Sequence, residues 1–282
     1  MCNSRYINPF TDFGFKKIFG EESNKDILIN FLNAVLPAED QIKDLTYKST
    51  EHLPKNDTDR KAIYDLYCEN EKGEKFIVEL QRASQKFFKD RTIYYSSFPL
   101  QEQAERGMSW DYELKAVYVV SIMNFIFDEN EEDFHHIVEL KNQKNKVFYD
   151  KLKFVYLELP KFQKQEKDLE SNFDKWLYLL RNLDSFDEMP LILKERIFKK
   201  VLKLAEYTAL PKVDQDRYDD DLKRFRDYTN TLQNKVDEGI EIGEKKAKVE
   251  SAKKFLSMGL SIEQVAEGTG LSTVEVKEIA NQ

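Results

Sequence analysis

Short apolar segments separated by polar breaks dominate the first half of the chain. Two of these segments, 62–68 and 76–80, are rich in β-branched and aromatic residues, as is typical of strands. A glycine at the end of the break between them can adopt the left-handed conformation that closes a three-residue hairpin loop. The pattern therefore predicts a β-hairpin with residues 71–73 as its loop, in which Asn70 pairs with Glu74.

Helical and strand patterns alternate around this hairpin through the first 160 residues. Apolar residues recur every three or four positions in some segments and form continuous or alternating runs in others. We predict helices at 24–36 and 84–106 and strands at 45–51, 114–127, 134–140 and 152–159. This order predicts an α/β domain with a mixed sheet flanked by helices.

The strand pattern then disappears, and apolar residues keep helical spacing to the end of the chain. We therefore predict a core at 1–160, a helical extension at 161–234, and an amphipathic helix with a helix-turn-helix-like tail at 235–282. In the tail, Ser261 and Ser272 each precede a short helical pattern as its cap. The last helix offers few positive charges for phosphate contacts, which favours packing or oligomerisation over DNA recognition.

The hairpin register brings two acidic residues together. Counting outward from the loop places Asp65 opposite Glu79, with their Cβ atoms roughly 4.5–5.5 Å apart. Gln81 shares their face because alternate residues of a strand project to the same side. Facing carboxylates among apolar neighbours destabilise a sheet unless a cation lies between them. Mg²⁺ binds through one or two carboxylates and keeps water or phosphate oxygens as its other ligands, so this geometry suggests phosphodiester chemistry.

The spacing alone leaves other arrangements open. A two-residue loop would shift the register by one residue and send the Asp65 and Glu79 side chains to opposite faces. In a further arrangement, Glu79 faces solvent and Asp65 makes an ordinary structural hydrogen bond. Short motifs of this kind match both the functional and the structural interpretation.

An acid on one strand, Glu-x-Lys on the next strand and a helix thereafter is the pattern of the PD-(D/E)XK nucleases, which this chain resembles. It is similar in particular to the recombination-promoting nuclease and transposase branch of that superfamily. The similar segments are NPFTDFGFKKIFG, DILINFLNAVLP, DRTIYYSSF, FVYLELPKF and the tail GEKKAKVESAKKFLSMGLSIEQVAEGTGLS. The resemblance implies a PD-(D/E)XK restriction-endonuclease-like fold, followed by an all-helical C-terminal region.

The resemblance also implies a role for each residue of the motif. Asp65 and Glu79 would bind Mg²⁺, with Mn²⁺ as a substitute, and the Leu80 carbonyl oxygen would be a third ligand. Gln81 occupies the position of the family lysine and completes the expected catalytic set with the two acids. A neutral amide donates hydrogen bonds but lacks the positive charge that stabilises a developing phosphorane. This departure favours weakened or rearranged catalysis over its loss.

Several charged residues outside the motif are further candidates. A substitute for the missing lysine charge is expected among the basic residues that follow the hairpin, which are Arg82, Lys86, Lys89 and Arg91. Asp12 is expected either to cap the first helix or, on the family resemblance, to be an outer metal ligand. The resemblance makes Lys16 a phosphate contact. Glu51 is a third candidate acid, for which a solvated side chain is the stronger expectation.

Composition narrows the class of protein. The 282-residue chain has 44 basic and 52 acidic residues, and the resulting net charge of −8 argues against passive adhesion to nucleic acid. Its apolar runs are shorter than the roughly 18 residues of a membrane span, and its first residues lack the layout of a secretory signal. Two cysteines and three histidines in no ligand spacing argue against a disulfide framework and a zinc site. We therefore expect a cytoplasmic protein.

Taken with the resemblance, these patterns predict a Mg²⁺-dependent endonuclease that hydrolyses DNA and is linked to recombination or mobile elements. The alternative is a catalytically weak or inactive nuclease-fold protein that acts as an interaction or oligomerisation module. The expected partners are DNA and, through the C-terminal helices, further copies of the chain. No membrane partner is expected.

Overall fold

A computed structural model describes the protein at residues 4–52, 62–104, 111–127 and 129–281. The chain forms two compact units, Met1–Leu222 and Lys223–Gln282. The predicted division into three parts at residues 160 and 234 stays a prediction. No helix within the described ranges combines the length and the apolar character that crossing a membrane requires.

Helices and strands follow one another in an α/β order through the first unit, and the last two helices of the chain belong to the second unit. The helices are α1 (Asp12–Phe19), α2 (Lys25–Val35), α3 (Phe88–Glu102), α4 (Asn172–Asn182), α5 (Arg196–Ala205), α6 (Lys212–Ser257), α7 (Ile262–Thr269) and α8 (Thr273–Ala280). The strands are β1 (Leu45–Tyr47), β2 (Glu51–His52), β3 (Ala62–Ile63), β4 (Leu66–Asn70), β5 (Lys75–Gln81), β6 (Val117–Met123), β7 (His135–Lys141) and β8 (Val147–Glu158).

Six of the strands form one mixed sheet in the order β1-β4-β5-β6-β8-β7. The pairs β5/β6 and β6/β8 are parallel, and the remaining neighbours are antiparallel. All seven residues of β6 are buried, which explains its uninterrupted apolar run because central parallel strands are covered on both faces. The mixed sheet flanked by helices, with a helical C-terminal region, confirms the predicted fold class.

The hairpin of β4 and β5 has the predicted register. Asn70 N–H donates to the Glu74 carbonyl at 3.0 Å, and Gly73 adopts a φ of 80° at the end of the loop. Leu66 pairs with Val78, so the residue before Leu66 stands opposite Glu79. The left-handed glycine therefore determines which side chains share a face of the sheet.

Helices cover the sheet and form a layer of their own. α3 packs on β6, where Phe88 joins a cluster of buried side chains from the sheet that includes Tyr67, Val119 and Tyr156. The helices α1, α2, α4 and α5 pack against one another, and the fully buried Trp176 lies 5.1–5.7 Å from three phenylalanine rings of that layer. This packing holds α1 and α2, which precede the hairpin in the chain, against α4 and α5, which follow it.

The second unit contains most of α6 together with α7 and α8. The side chains of Ser261 and Ser272 accept hydrogen bonds from the backbone of α7 and α8, as their capping positions predict. Gly270 ends α7 in the left-handed conformation, and Val265 and Val276 are fully buried in the small core of this unit. The expected pair of short capped helices is thus present.

Some predicted boundaries were wrong. The helix predicted at 84–106 begins at Phe88 and ends at Glu102, since residues 82–87 form a loop and turn, and Phe87 at the N-cap position provides no side-chain hydrogen bond. Its predicted last residues lie outside the described ranges. The strand predicted at 45–51 ends at Tyr47, and the helix predicted to begin at residue 235 is the second half of the 46-residue α6.

Candidate functional site

Asp65 and Glu79 are joined across the hairpin by two hydrogen bonds between side chain and backbone. Leu80 N–H donates to Asp65 Oδ2 at 2.7 Å, and Asp65 N–H donates to Glu79 Oε1 at 3.3 Å. The strand predicted at 62–68 is interrupted, because Asp65 lies in a bend between β3 and β4. Each acid nevertheless accepts a hydrogen bond from the backbone of the segment that carries the other. The hairpin brings the two predicted acids into one site, as the register required.

Glu79 is 4% exposed and has two further donors at its second oxygen. The Gln81 side-chain amide donates to Glu79 Oε2 at 3.0 Å, which places Gln81 on the same face of β5. Arg91 Nη2 lies 3.4 Å from the same oxygen and forms an ion pair with it. α3 thus brings one positive charge to a carboxylate that the sheet buries.

The surroundings of the pair disfavour two negative charges. Burial, together with the nearby Asp65 carboxylate, raises the pKa of Glu79 to about 8, although Arg91 acts in the opposite direction. Burial also raises the pKa of Asp65, against the hydrogen bond from Leu80. A second cation beside the pair would relieve this cost, since Arg91 contacts only one of the two acids in the described contacts.

The donor set suits a hard divalent cation. Two adjacent carboxylates are a sufficient protein contribution for Mg²⁺, which keeps water or substrate oxygens in its remaining positions. Across residues 4–52, 62–104, 111–127 and 129–281, no three or more His, Cys, Asp or Glu side chains are grouped so as to hold a metal ion. The two carboxylates therefore fit an open site with few protein ligands.

The predicted N-terminal candidates lie within electrostatic reach of Asp65. The charge of Asp12 raises the pKa of Asp65, and the charges of Lys16 and Arg82 lower it. Asp12 and Lys16 form an ion pair at 3.0 Å on the exposed side of α1. The interpretation of Asp12 as the cap was wrong, because Thr11 caps α1 and its hydroxyl accepts from Gly14 N–H at 2.9 Å.

The other basic candidates are placed differently from Arg91. Lys86 Nζ lies 5.4 Å from the centre of the Phe87 ring, and Lys89 Nζ lies 4.6 Å from the centre of the Phe127 ring. Of the positive residues after the hairpin, Arg91 is the one whose contact with Glu79 is resolved. Glu51 is exposed on the small two-stranded sheet.

Ser121 is a polar neighbour of the site that the sequence did not identify. It pairs with Glu79 in the parallel register of β5 and β6 and is fully buried. Its hydroxyl has no hydrogen-bond partner among the described residues, which is unusual for a buried polar group. A single serine within an otherwise apolar buried strand was the available signal.

Comparison with known proteins identifies one family. Neither the curated proteins nor the solved structures contain a match to this chain. The sequence model of the PD-(D/E)XK nuclease family transposases matches residues 9–235, a segment that includes the complete sheet and all of the candidate residues above. Because this model covers most of the chain, and because the chain carries an acidic pair at the hairpin of a mixed sheet, the chain belongs to the PD-(D/E)XK nuclease family transposases.

Proposed function

We propose that this protein is a metal-dependent endonuclease that hydrolyses phosphodiester bonds of DNA. One observation supports this most strongly: the Glu79 carboxylate is held beside Asp65, and burial raises the pKa of both groups. Such an arrangement costs stability in a purely structural site and is typical of groups that bind a cation. The family membership supports the same class of activity.

In this proposal Asp65 and Glu79 hold Mg²⁺ or Mn²⁺, with the Leu80 carbonyl oxygen as a third protein ligand. The ion would supply positive charge to the scissile phosphate and lower the pKa of a water molecule. Asp65 is oriented for this task by the hydrogen bond that its Oδ2 accepts from Leu80 N–H, and within the described residues no hydrogen bond to its Oδ1 is found. Glu79 is oriented by the donors at both of its oxygens.

Gln81 and Arg91 together replace the lysine of the family motif, the first as a hydrogen-bond donor and the second as a positive charge. The Gln81 amide can position the attacking water by hydrogen bonding, because it lies on the same strand face as Glu79. Arg91 supplies the permanent positive charge that an amide lacks, at 3.4 Å from Glu79 Oε2. This division explains how a chain with glutamine at the motif position can retain catalysis.

Asp12, Lys16 and Arg82 are assigned to the border of the site. We place Lys16 and Arg82 in contact with phosphates of the bound strand, and Asp12 as an outer ligand of the hydrated ion. Their electrostatic effect on Asp65 supports this assignment. The exposure of Lys16 leaves its ammonium group accessible to a substrate.

We expect the purified protein to nick or cut supercoiled plasmid DNA in Mg²⁺ or Mn²⁺ and to have no activity in excess chelator. Gel electrophoresis over a titration of the metal measures this requirement. A matched control is Glu113→Ala, which removes an exposed acid away from the pair and should cleave as the wild type does. Cleavage at full rate in excess chelator would contradict the proposal.

The biological setting is also a proposal. The description of the family as transposases supports a role in DNA recombination or mobile-element biology. We place the activity in the cytoplasm, with DNA as the main partner and no membrane partner. Hydrolysis alone accounts for the residues of the site, and strand transfer is not part of the proposal.

We also propose that the C-terminal helices mediate self-association. Leu232, Val236 and Ile240 are 37%, 54% and 55% exposed and lie four residues apart, so they follow one face of α6. Exposed apolar side chains in such a row are typical of a helix that packs against another helix.

We expect the double variant Val236→Lys, Ile240→Lys to lower the assembly state of the full chain, because two charges on the apolar row oppose its burial. Light scattering over a range of concentrations measures the mass. Glu241→Lys changes the net charge by the same amount and should leave the assembly state unchanged. A wild-type protein that stays monomeric at every concentration would contradict self-association.

A further inference from the structure

The first turns of α3 and the loop before them enclose an open cavity of about 650 Å³. Its lining includes the side chains of Lys86, Phe87, Arg91, Tyr94 and Tyr95. This volume lies within the roughly 300–1,000 Å³ range of small-molecule binding pockets. The cavity is therefore large enough for a flat ring system of the size of a nucleobase.

Arg91 connects this cavity to the acid pair. Its Nη2 lies 3.4 Å from Glu79 Oε2, and its guanidinium carbon lies 5.1 Å from the centre of the Tyr95 ring. One side chain thus contacts both a proposed metal ligand and the cavity wall. A group bound in the cavity would lie beside the site of phosphodiester cleavage.

Two aromatic rings of the lining are more exposed than packing of α3 requires. Phe87 is 65% exposed and Tyr94 is 44% exposed, whereas Phe88 is buried in the core on the same helix. Tyr94 is held from one side by an edge-to-face contact with Phe98, with 5.1 Å between ring centres. The rings are supported by the protein and also open to a ligand.

Beside these rings the lining carries two positive charges, on Lys86 and Arg91, and one negative charge, on Asp90. Lys86 Nζ lies 5.4 Å from the centre of the Phe87 ring, and Arg91 lies against Tyr95. A ligand that matches this combination has a flat apolar face and a negative charge a short distance from it. A nucleotide within a DNA strand has both, since its base stacks on aromatic rings and its phosphate attracts cations.

We propose that this cavity binds one unpaired nucleobase of the DNA strand that is being cut, so that single strands and unstacked bases are preferred over intact duplex. A base within intact duplex cannot enter, because both of its faces are covered by its neighbours and unstacking has a cost. The inference rests on the proposed nuclease function and adds a substrate preference to it.

The test measures DNA binding apart from cleavage. Fluorescence anisotropy in chelator compares a short single strand with the duplex of the same sequence, using wild-type protein, Phe87→Ala, Tyr94→Ala and the control Phe148→Ala. Phe148 is 80% exposed on β8 and lies outside the cavity. We expect each cavity variant to weaken single-strand binding by about fivefold to a hundredfold, the range for one lost stacking contact, with duplex binding and the control unchanged.

Strands with a single abasic position identify the base that enters the cavity. The wild type should lose affinity when one particular base is missing, and Phe87→Ala should be insensitive to the same change. Equal losses for single strand and duplex, unchanged single-strand binding in both variants, or no binding to any DNA would overturn the inference. Plasmid cleavage by the wild type reports separately on the nuclease proposal, so cleavage with base-independent binding overturns the inference alone.

Discussion

Glu79→Gln is expected to reduce metal-dependent DNA cleavage by at least about a thousandfold, since it removes the charge of one of two proposed metal ligands. Glutamine keeps the size of the side chain but only one of its two oxygen acceptors, so the loss reports on the charge and one accepted hydrogen bond and not on side-chain volume. Single-turnover cleavage of a labelled DNA, at saturating metal, measures the effect. Cleavage within a few-fold of the wild type would exclude Glu79 as a ligand.

The same substitution is expected to stabilise the metal-free protein by about 1 to 3 kcal/mol near pH 8, because it removes the cost of ionising a carboxyl whose pKa is raised in the folded state. The stability of the wild type should depend on pH for the same reason. Glu79 has a folded-state pKa of about 8 against 4.5 for the ordinary carboxyl, so the folded protein binds the proton more tightly than the unfolded chain. The free energy of unfolding must then decrease as the pH rises from about 4.5 to about 8.

Thermal unfolding in chelator at several pH values checks both expectations. In Glu79→Gln this decrease should be smaller, and Mg²⁺ or Mn²⁺ should raise its midpoint less than that of the wild type. Glu113→Ala is the matched control and should retain both the pH dependence and the stabilisation by metal. A Glu79→Gln protein that is less stable than the wild type at pH 8 would indicate a structural carboxylate that depends on Arg91.

Arg91→Ala is expected to reduce the rate of cleavage by about a hundredfold to a thousandfold, the usual cost of removing one donor that stabilises a charged transition state. Arg91→Lys should recover part of this loss, because it restores the charge but not the planar pair of donors. The rate constant at saturating DNA and metal is the quantity to compare, since a loss confined to DNA affinity would indicate a binding role.

Lys89→Ala is the control for this prediction. It removes a positive charge from the same helix, but its ammonium group lies over the Phe127 ring and not beside Glu79. Equal losses in Arg91→Ala and Lys89→Ala would indicate that the helix contributes only its general positive potential. A loss specific to Arg91 would support its assignment as the substitute for the motif lysine.

The hairpin could be predicted because its information is local. A glycine in the left-handed conformation defines the loop, the loop defines the register, and the register brings Glu79 to the side of Asp65. The caps at Ser261 and Ser272 were predictable for the same reason, since the capping hydrogen bonds lie within three residues. Local chemistry of this kind is readable without a structure.

Contacts between elements that are distant in the chain could not be predicted from the sequence. Arg91 was one of four basic candidates, and only the packing of α3 on the sheet brings its guanidinium group to Glu79. Ser121 lies on a parallel strand 42 residues after Glu79, so its register depends on the whole crossover. The aromatic cavity likewise forms where a loop and the first turns of α3 meet, which a periodicity pattern does not predict.

The pairing of Asp65 and Glu79 at a single cation is the central claim, and a crystal structure of the protein soaked in Mn²⁺ tests it most directly. The anomalous signal of the ion shows its position without reference to activity. We predict one strong peak within coordination distance of an oxygen from each of the two carboxylates. A peak elsewhere, or two carboxylates that point away from each other with no ion between them, would contradict the account.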